Sequence, residues 1–230
     1  MTYDELEKAL APEVIITPET IEKFKSYLLL LQEWNEKFNL TKIVEEDEAI
    51  EKHFYDSLLP AKSPHFRGDS IADIGTGAGF PGLVYAVVFP KKRITLVEAT
   101  GKKCKFLEAV VSSLKLSNVT ILNKRAEDLT CRESFDLVVA RAVAPLNILL
   151  EITSPFAKVH GLVLAMKGEK ADEEIKEANK AMASLSLKLL DKEVATLPNG
   201  ESRINLFFIK EGKTFKRYPR MWAEINKKPL

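Results

Sequence analysis

The chain has 230 residues, 46% of them apolar, enough to fill the core of one large domain or of one domain with an extension. Charged residues reach 29%, which gives a well-solvated surface, and no apolar run is long enough to read as a membrane-spanning helix. The net charge of +1 hides an uneven distribution: residues 1–66 carry seven Lys and Arg against fourteen Asp and Glu, whereas residues 210–230 carry seven against two. In the N-terminal part, Ile21, Phe24, Leu28, Leu31, Trp34 and Phe38 recur every three or four residues, so residues 1–66 read as a helical cap with Trp34 and Phe38 in its core. Thr17 is the expected N-cap, with Pro18 in the first turn. His53 and Asp56 share a helix face; a hydrogen bond in helix packing is the expected role, and lining of the site is the alternative.

The most informative stretch follows. Ser70 to Ile74 reads as an apolar strand, Gly75, Gly77, Gly79 and Gly82 as a turn, and Gly82 to Phe89 as an apolar helix. Strand, glycine turn and helix are the context that makes a nucleotide site believable. The spacing Asp73-x-Gly-x-Gly-x-Gly is tighter than a dinucleotide loop and resembles the first motif of S-adenosylmethionine (SAM) methyltransferases. Asp73 would meet the amino-acid end of SAM, indirectly if not directly. Arg93 to Val97 reads as a second strand, and Glu98 at its tip is placed to accept hydrogen bonds from both ribose hydroxyls. A helix from Lys102 and a third strand, Val119 to Leu122, lead to Arg125-Ala126-Glu127-Asp128, where an adenine would be read. A fourth strand, Phe135 to Ala140, ends at Arg141, and a fifth, Leu162 to Met166, ends at Lys167-Gly168.

Five strand–helix repeats predict an α/β fold, a Rossmann-like parallel sheet with helices on both faces. Leu187 to Leu197 and Arg203 to Lys210 alternate like strands around the turn Pro198-Asn199-Gly200-Glu201. Such a closing hairpin suits a methyltransferase sheet; a dehydrogenase repeats a second βαβαβ half. The expected organisation is a cap at 1–66, a SAM-binding core at 67–210 and a basic tail at 211–230 packed on or near the core. Lys213, Lys216, Arg217 and Arg220 in the tail are candidate phosphate contacts, and Tyr218 or Trp222 could stack on a base. On this reading the tail supplies RNA affinity and leaves SAM affinity unchanged. The basic residues near the strand tips, among them Lys102, Lys103 and Lys124, are expected to be solvated, with a phosphate chain within reach. Cys104 and Cys131 lack metal spacing and fit a reduced, cytoplasmic protein; His53, His65 and His160 are too scattered for a metal site, so no metal is expected. The start, Met1 to Glu5, lacks the basic opening of a signal peptide.

With these residues assembled, the chain resembles over nearly its full length the bacterial RsmG (GidB) family, which makes 7-methylguanine in 16S ribosomal RNA. The resemblance is carried by Trp34 to Thr41 with His53 to Leu58, by Asp73 to Gly82, and by Lys102-Lys103 with Phe106-Leu107. Arg125-Ala126-Glu127, Arg141 to Ala144, Lys167-Gly168, Tyr218-Pro219-Arg220 and Lys228-Pro229-Leu230 complete it. It implies that SAM lies along Gly75, Gly77, Phe80, Glu98, Ala126-Glu127 and Arg141. It also implies an enzyme acting on 16S rRNA or the small ribosomal subunit; a monomer without membrane association is expected. Trp222 to Ile225 depart from the family, which more often has a glycine-containing stretch there, so the resemblance does not supply the tail's contacts.

The residues agree with a ring-nitrogen target. After the fourth strand the chain reads Ala140-Arg141-Ala142-Val143-Ala144-Pro145, not the Asp/Asn-Pro-Pro-aromatic loop common in amine methylation. Neither cysteine is placed for attack on a pyrimidine carbon. Guanine N7 has a free lone pair and no proton to lose, so no general base is needed, and positioning alone is worth on the order of 7–11 kcal/mol. Arg141 is the candidate polar residue of the active site, facing the SAM carboxylate, a phosphate or guanine O6. Two other readings stay open: a SAM methyltransferase for a protein or small-molecule nitrogen, and a non-catalytic RNA-binding ribosome-assembly factor. Intact Gly75, Gly77, Glu98 and Arg141 argue against the second.

Overall fold

The computed structural model describes all 230 residues. The N-terminal part is helical: α1 (Tyr3–Leu10), α2 (Pro18–Phe38), α3 (Glu46–Ala49), a π-helical turn (Ile50–Tyr55) and α4 (Asp56–Leu58). Thr17 caps α2 as its sequence predicts, its Oγ1 accepting from the Thr20 amide at 3.2 Å. Short α1, capped by a Thr2–Glu5 box, adds a helix ahead of the Thr17 cap.

The core alternates β1 (Ser70–Ile74), α5 (Gly82–Val88), β2 (Arg93–Val97), α6 (Gly101–Ser113), β3 (Val119–Leu122), β4 (Phe135–Arg141), α7 (Leu146–Thr153) and β5 (Ala157–Lys167). Helices α8 (Ala171–Glu177) and α9 (Asn179–Ser184) precede the hairpin of β6 (Leu187–Thr196) and β7 (Ser202–Lys210), and α10 (Trp222–Lys227) ends the chain. The sheet order is β3-β2-β1-β4-β5-β7-β6, with β1 to β5 parallel and β7 antiparallel to both neighbours. The order reverses between β1 and β4, so a crevice opens beyond their C-terminal ends, where ligands of open α/β sheets bind. Every residue of β1 is buried, as a central parallel strand requires.

Alternating strand residues feed two cores. Ile71 faces the side shared with Phe24, Tyr27 and Phe54 of the N-terminal helices; Ala72 and Ile74 face the side shared with α7, Tyr218 and Ile225. Residues 1–66 therefore bury their apolar face on the sheet and have no separate core. The tail packs likewise. Arg132 donates to the carbonyls of Thr214, Phe215 and Tyr218, and Ile225 is fully buried.

Candidate active site

The glycine loop is held from three directions. From below, Asp73 at the tip of β1 accepts from Thr76 Oγ1 at 2.6 Å and from the Gly82 amide at 2.8 Å. Asp73 is fully buried, and burial pushes its carboxyl up to about 6. From the side, Glu98 accepts from the Gly77 amide at 3.0 Å and from the Thr100 amide at 2.8 Å. From the cap, Tyr27 donates its hydroxyl to the Ala78 carbonyl at 2.5 Å and stacks on Phe80 with ring centres 5.2 Å apart. Sequence reasoning missed Tyr27, which reads as one more apolar position on α2.

The loop glycines divide into two kinds. A Cβ at Gly75 would stand 2.8 Å from Val143, one at Gly79 2.4 Å from Tyr27, and one at Gly82 2.3 Å from Leu96. Those three are demanded by packing. A Cβ at Gly77, where φ is +63°, would meet nothing nearer than the Gly75 carbonyl at 3.9 Å. Gly77 therefore faces open space at the mouth of the loop.

Of three cavities around the tip of β4, one of about 540 Å³ opens beyond Ala142 to Pro145 toward α8, and the other two bear on the glycine loop and on Arg141. The smaller of these two, about 130 Å³, is lined by Gly75, Val97, Ala126, Glu127, Val143 and Trp222 among others. The larger, about 440 Å³, draws on five parts of the chain: Lys52, His53 and Asp56 of the N-terminal part, Arg141 of β4, Lys167-Gly168 at the end of β5, Glu174 of α8, and Glu201 and Arg203 of the hairpin. Asp56 is its hub. Arg141 Nη1 lies 3.2 Å from one carboxylate oxygen and Arg203 Nε 3.2 Å from the other. Arg141 also donates to the Lys52 carbonyl at 3.1 Å, and its guanidinium lies 5.4 Å from the centre of the Phe80 ring. Both roles expected of the pair His53 and Asp56 occur: His53 Nε2 makes a packing hydrogen bond with Thr41 Oγ1 at 3.2 Å, and His53 and Asp56 also line the cavity, presented by the π-helical turn and the start of α4. Arg203, 147 positions from Asp56, carries no motif that would have marked it.

His53 stacks on Phe80 with ring centres 4.1 Å apart. Burial and the Arg141 charge push its imidazole down to about 3, so it is neutral at physiological pH and a weak base. The unfolded chain takes up this proton near pH 6.5 and the folded one only near 3, so His53's contribution to stability is complete above 6.5 and lost progressively as pH falls. Denaturant unfolding of wild type and His53→Gln should show the wild type losing about 2 kcal/mol relative to the variant between pH 7 and 5. Parallel stability curves would contradict the assignment.

In the tail, Lys213, Lys216 and Arg217 are exposed, with Arg217 lying over the Phe215 and Tyr218 rings. Two tail expectations are corrected. Arg220 is not free for a phosphate: it grips the fully buried Glu151 through its amide at 3.0 Å, Nε at 2.8 Å and Nη2 at 2.6 Å. Tyr218 is 3% exposed and cannot stack on a base. Cys104 is buried, donating to the Glu98 carbonyl, and takes no part in either cavity.

The site fits SAM. Asp73 leaves one buried carboxylate oxygen without a partner beneath the loop, Gly77 leaves open room above it, and Glu98 and Ala126-Glu127 stand at the tips of β2 and β3. Sheet order, glycine loop and acidic strand tips together define a class I SAM-dependent methyltransferase.

Solved structures share the fold. TYW2 of M. jannaschii in complex with AdoMet matches with TM-score 0.58 and 20% identity over 74% of this chain and 79% of its own. A ribosomal protein L11 methylase from Lactobacillus delbrueckii subsp. bulgaricus matches with TM-score 0.54 and 16% identity over 70% and 79%. Sequence relatives are nearer. The ribosomal RNA small subunit methyltransferase G of Leuconostoc citreum is 42% identical over 94% of both chains, and that of Lactococcus lactis subsp. lactis is 40% identical over 100% of both. The family model described as GidB, rRNA small subunit methyltransferase G, matches residues 20–203. The chain belongs to this family.

Proposed function

We propose that this enzyme methylates N7 of a guanine in 16S ribosomal RNA of the small subunit, working as a cytoplasmic monomer. The observation that carries the reading is the 440 Å³ cavity: it adjoins the glycine loop through Arg141 and Phe80, and its one imidazole is held near pKa 3. That imidazole is a poor base, and the carboxylates of the cavity are already paired, Asp56 with Arg141 and Arg203, Glu201 with Lys52 and Arg203, and Glu174 with Lys167; N7 needs no base. When bound, SAM supplies a sulfonium-activated methyl group, which the N7 lone pair takes while the sulfur keeps the C–S electron pair to give S-adenosylhomocysteine. The protein's part is positioning. Gly75, Gly77, Glu98 and Ala126-Glu127 would hold the cofactor, and Asp73 acts indirectly by fixing the Thr76 and Gly82 ends of the loop. Arg141, steadied by Asp56 and the Lys52 carbonyl, would present its free donors to guanine O6, a phosphate or the SAM carboxylate. Neutral His53, stacked on Phe80, adds a flat wall without adding charge.

Transfer from labelled SAM to naked 16S rRNA, to assembled small subunits and to protein tests the reading. Label in 7-methylguanine of RNA is expected; label in protein alone, or in no acceptor, would overturn it.

Lys213, Lys216 and Arg217 are the tail's remaining candidates for phosphate contacts. Changing all three to alanine should reduce the magnitude of the salt slope of RNA binding by about 0.7 per lost contact, roughly 2 in all. Affinity measured against salt for the triple variant checks this. An unchanged slope would move RNA binding to the strand-tip lysines or the cap.

A further inference from the structure

We propose that Trp222, carried by the C-terminal tail, is a cofactor-binding residue that forms a wall of the adenine pocket. The inference rests on the reading of the smaller cavity as the adenosine end of the SAM site. That cavity joins the tips of β1, β2 and β3 through Gly75, Val97 and Ala126-Glu127, and Trp222 is the one tail residue that lines it. Its other walls are mostly small or aliphatic, so the indole is the only aromatic surface there on which a purine could rest.

The tail is built to keep Trp222 in place. Tyr218, four residues before it, is 3% exposed and has its carbonyl held by Arg132. Arg220, two residues before it, is locked by three hydrogen bonds to Glu151 and by a fourth from Nη1 to the Lys228 carbonyl at 3.1 Å. Ile225, three residues after it, is fully buried against α7 and its neighbours. Glu151 is fully buried, and a carboxylate left there without its guanidinium would be strongly destabilising. The fork of Arg220 is thus spent inside the protein, and its consequence is the placement of Trp222. On this proposal the expectation that the tail leaves SAM affinity untouched is restricted to Lys213, Lys216 and Arg217 and is given up for the segment from Arg220 to Ile225.

Calorimetric titration with S-adenosylhomocysteine and with 5′-methylthioadenosine, which lacks the amino-acid end, tests the proposal on wild type, Trp222→Ala and Trp222→Phe. Loss of one aromatic–base contact should weaken both ligands by about 10-fold or more in Trp222→Ala, with Trp222→Phe recovering most of the loss. The two variants should melt within a few degrees of the wild type, because Trp222 is partly exposed at the start of α10. In a Trp34→Phe background, where Trp222 is the sole tryptophan, its emission should change on adding S-adenosylhomocysteine. Trp222→Ala binding both ligands within two-fold of wild type would overturn the proposal while leaving the methyltransferase reading intact. Loss confined to S-adenosylhomocysteine would also overturn it, since the contact would then not be with adenine. Failure of wild type to bind either ligand would instead overturn the cofactor site itself.

Discussion

Gly77→Val should lose SAM binding while the chain stays folded. The reason lies in what surrounds position 77. Its φ of +63° is in the left-handed region, and a β-branched residue held there costs on the order of 1–3 kcal/mol. A domain of this size is stable by about 5–15 kcal/mol, so the strain alone leaves it folded. The nearest protein atom to a Cβ at that position is the Gly75 carbonyl oxygen at 3.9 Å, so the branch point itself meets ordinary van der Waals space and no packed side chain. The isopropyl group would fill the open mouth of the loop instead, and the Gly77 amide that bonds Glu98 would be disturbed with it. Titration calorimetry on folded Gly77→Val checks this, and near-native SAM affinity would remove Gly77 from the site. The same substitution at Gly79 or Gly82 would give a different result. There the Cβ meets Tyr27 or Leu96 well inside contact distance, so the fold should suffer first.

Arg141→Ala should reduce transfer on the order of 10²-fold or more, as removal of one preorganised donor does, while lowering stability much less. The asymmetry follows from Asp56. Cutting one partner from a buried ion pair normally costs about 3–5 kcal/mol because a charge is left alone. Here Asp56 keeps Arg203 at 3.2 Å, so the cost should fall toward that of a hydrogen bond to a charged group, about 1.5–3 kcal/mol. The kinetic split locates the contact. A rise in the SAM dissociation constant with turnover restored at saturation would place Arg141 on the cofactor carboxylate. A fall in turnover with both substrates saturating would place it on the guanine or its phosphate. Full activity under saturation would make Arg141 purely structural.

Much of this molecule is legible in the chain. The five parallel strands and the closing hairpin stand where apolar runs and turn residues put them, because side-chain periodicity and glycine or proline turns act over a few residues. Asp73, Glu98 and Arg141 could be singled out because each closes an apolar strand, and a parallel sheet sends all such ends to one edge. Strand β5 begins five residues before its apolar run: Ala157 to Gly161 includes Lys158 and His160, which face water at the start of the strand and interrupt the apolar pattern.

What tertiary structure alone decided is the partner of each charge and the duty of each glycine. Arg220 and Lys213 look alike in a basic, aromatic tail, yet one is bound to a buried carboxylate and the other is exposed. The clue was faint: Glu151 is the single acidic residue in apolar α7, and a charge buried there needs a partner brought from elsewhere in the chain. Asp56 likewise acquires Arg141 and Arg203 only when cap, sheet and hairpin meet. Gly75, Gly77 and Gly79 share one motif, and what a side chain would strike sets them apart. Local pattern is written in neighbouring residues; desolvation and close contact depend on residues far apart in sequence, so those roles appear only once the chain has folded.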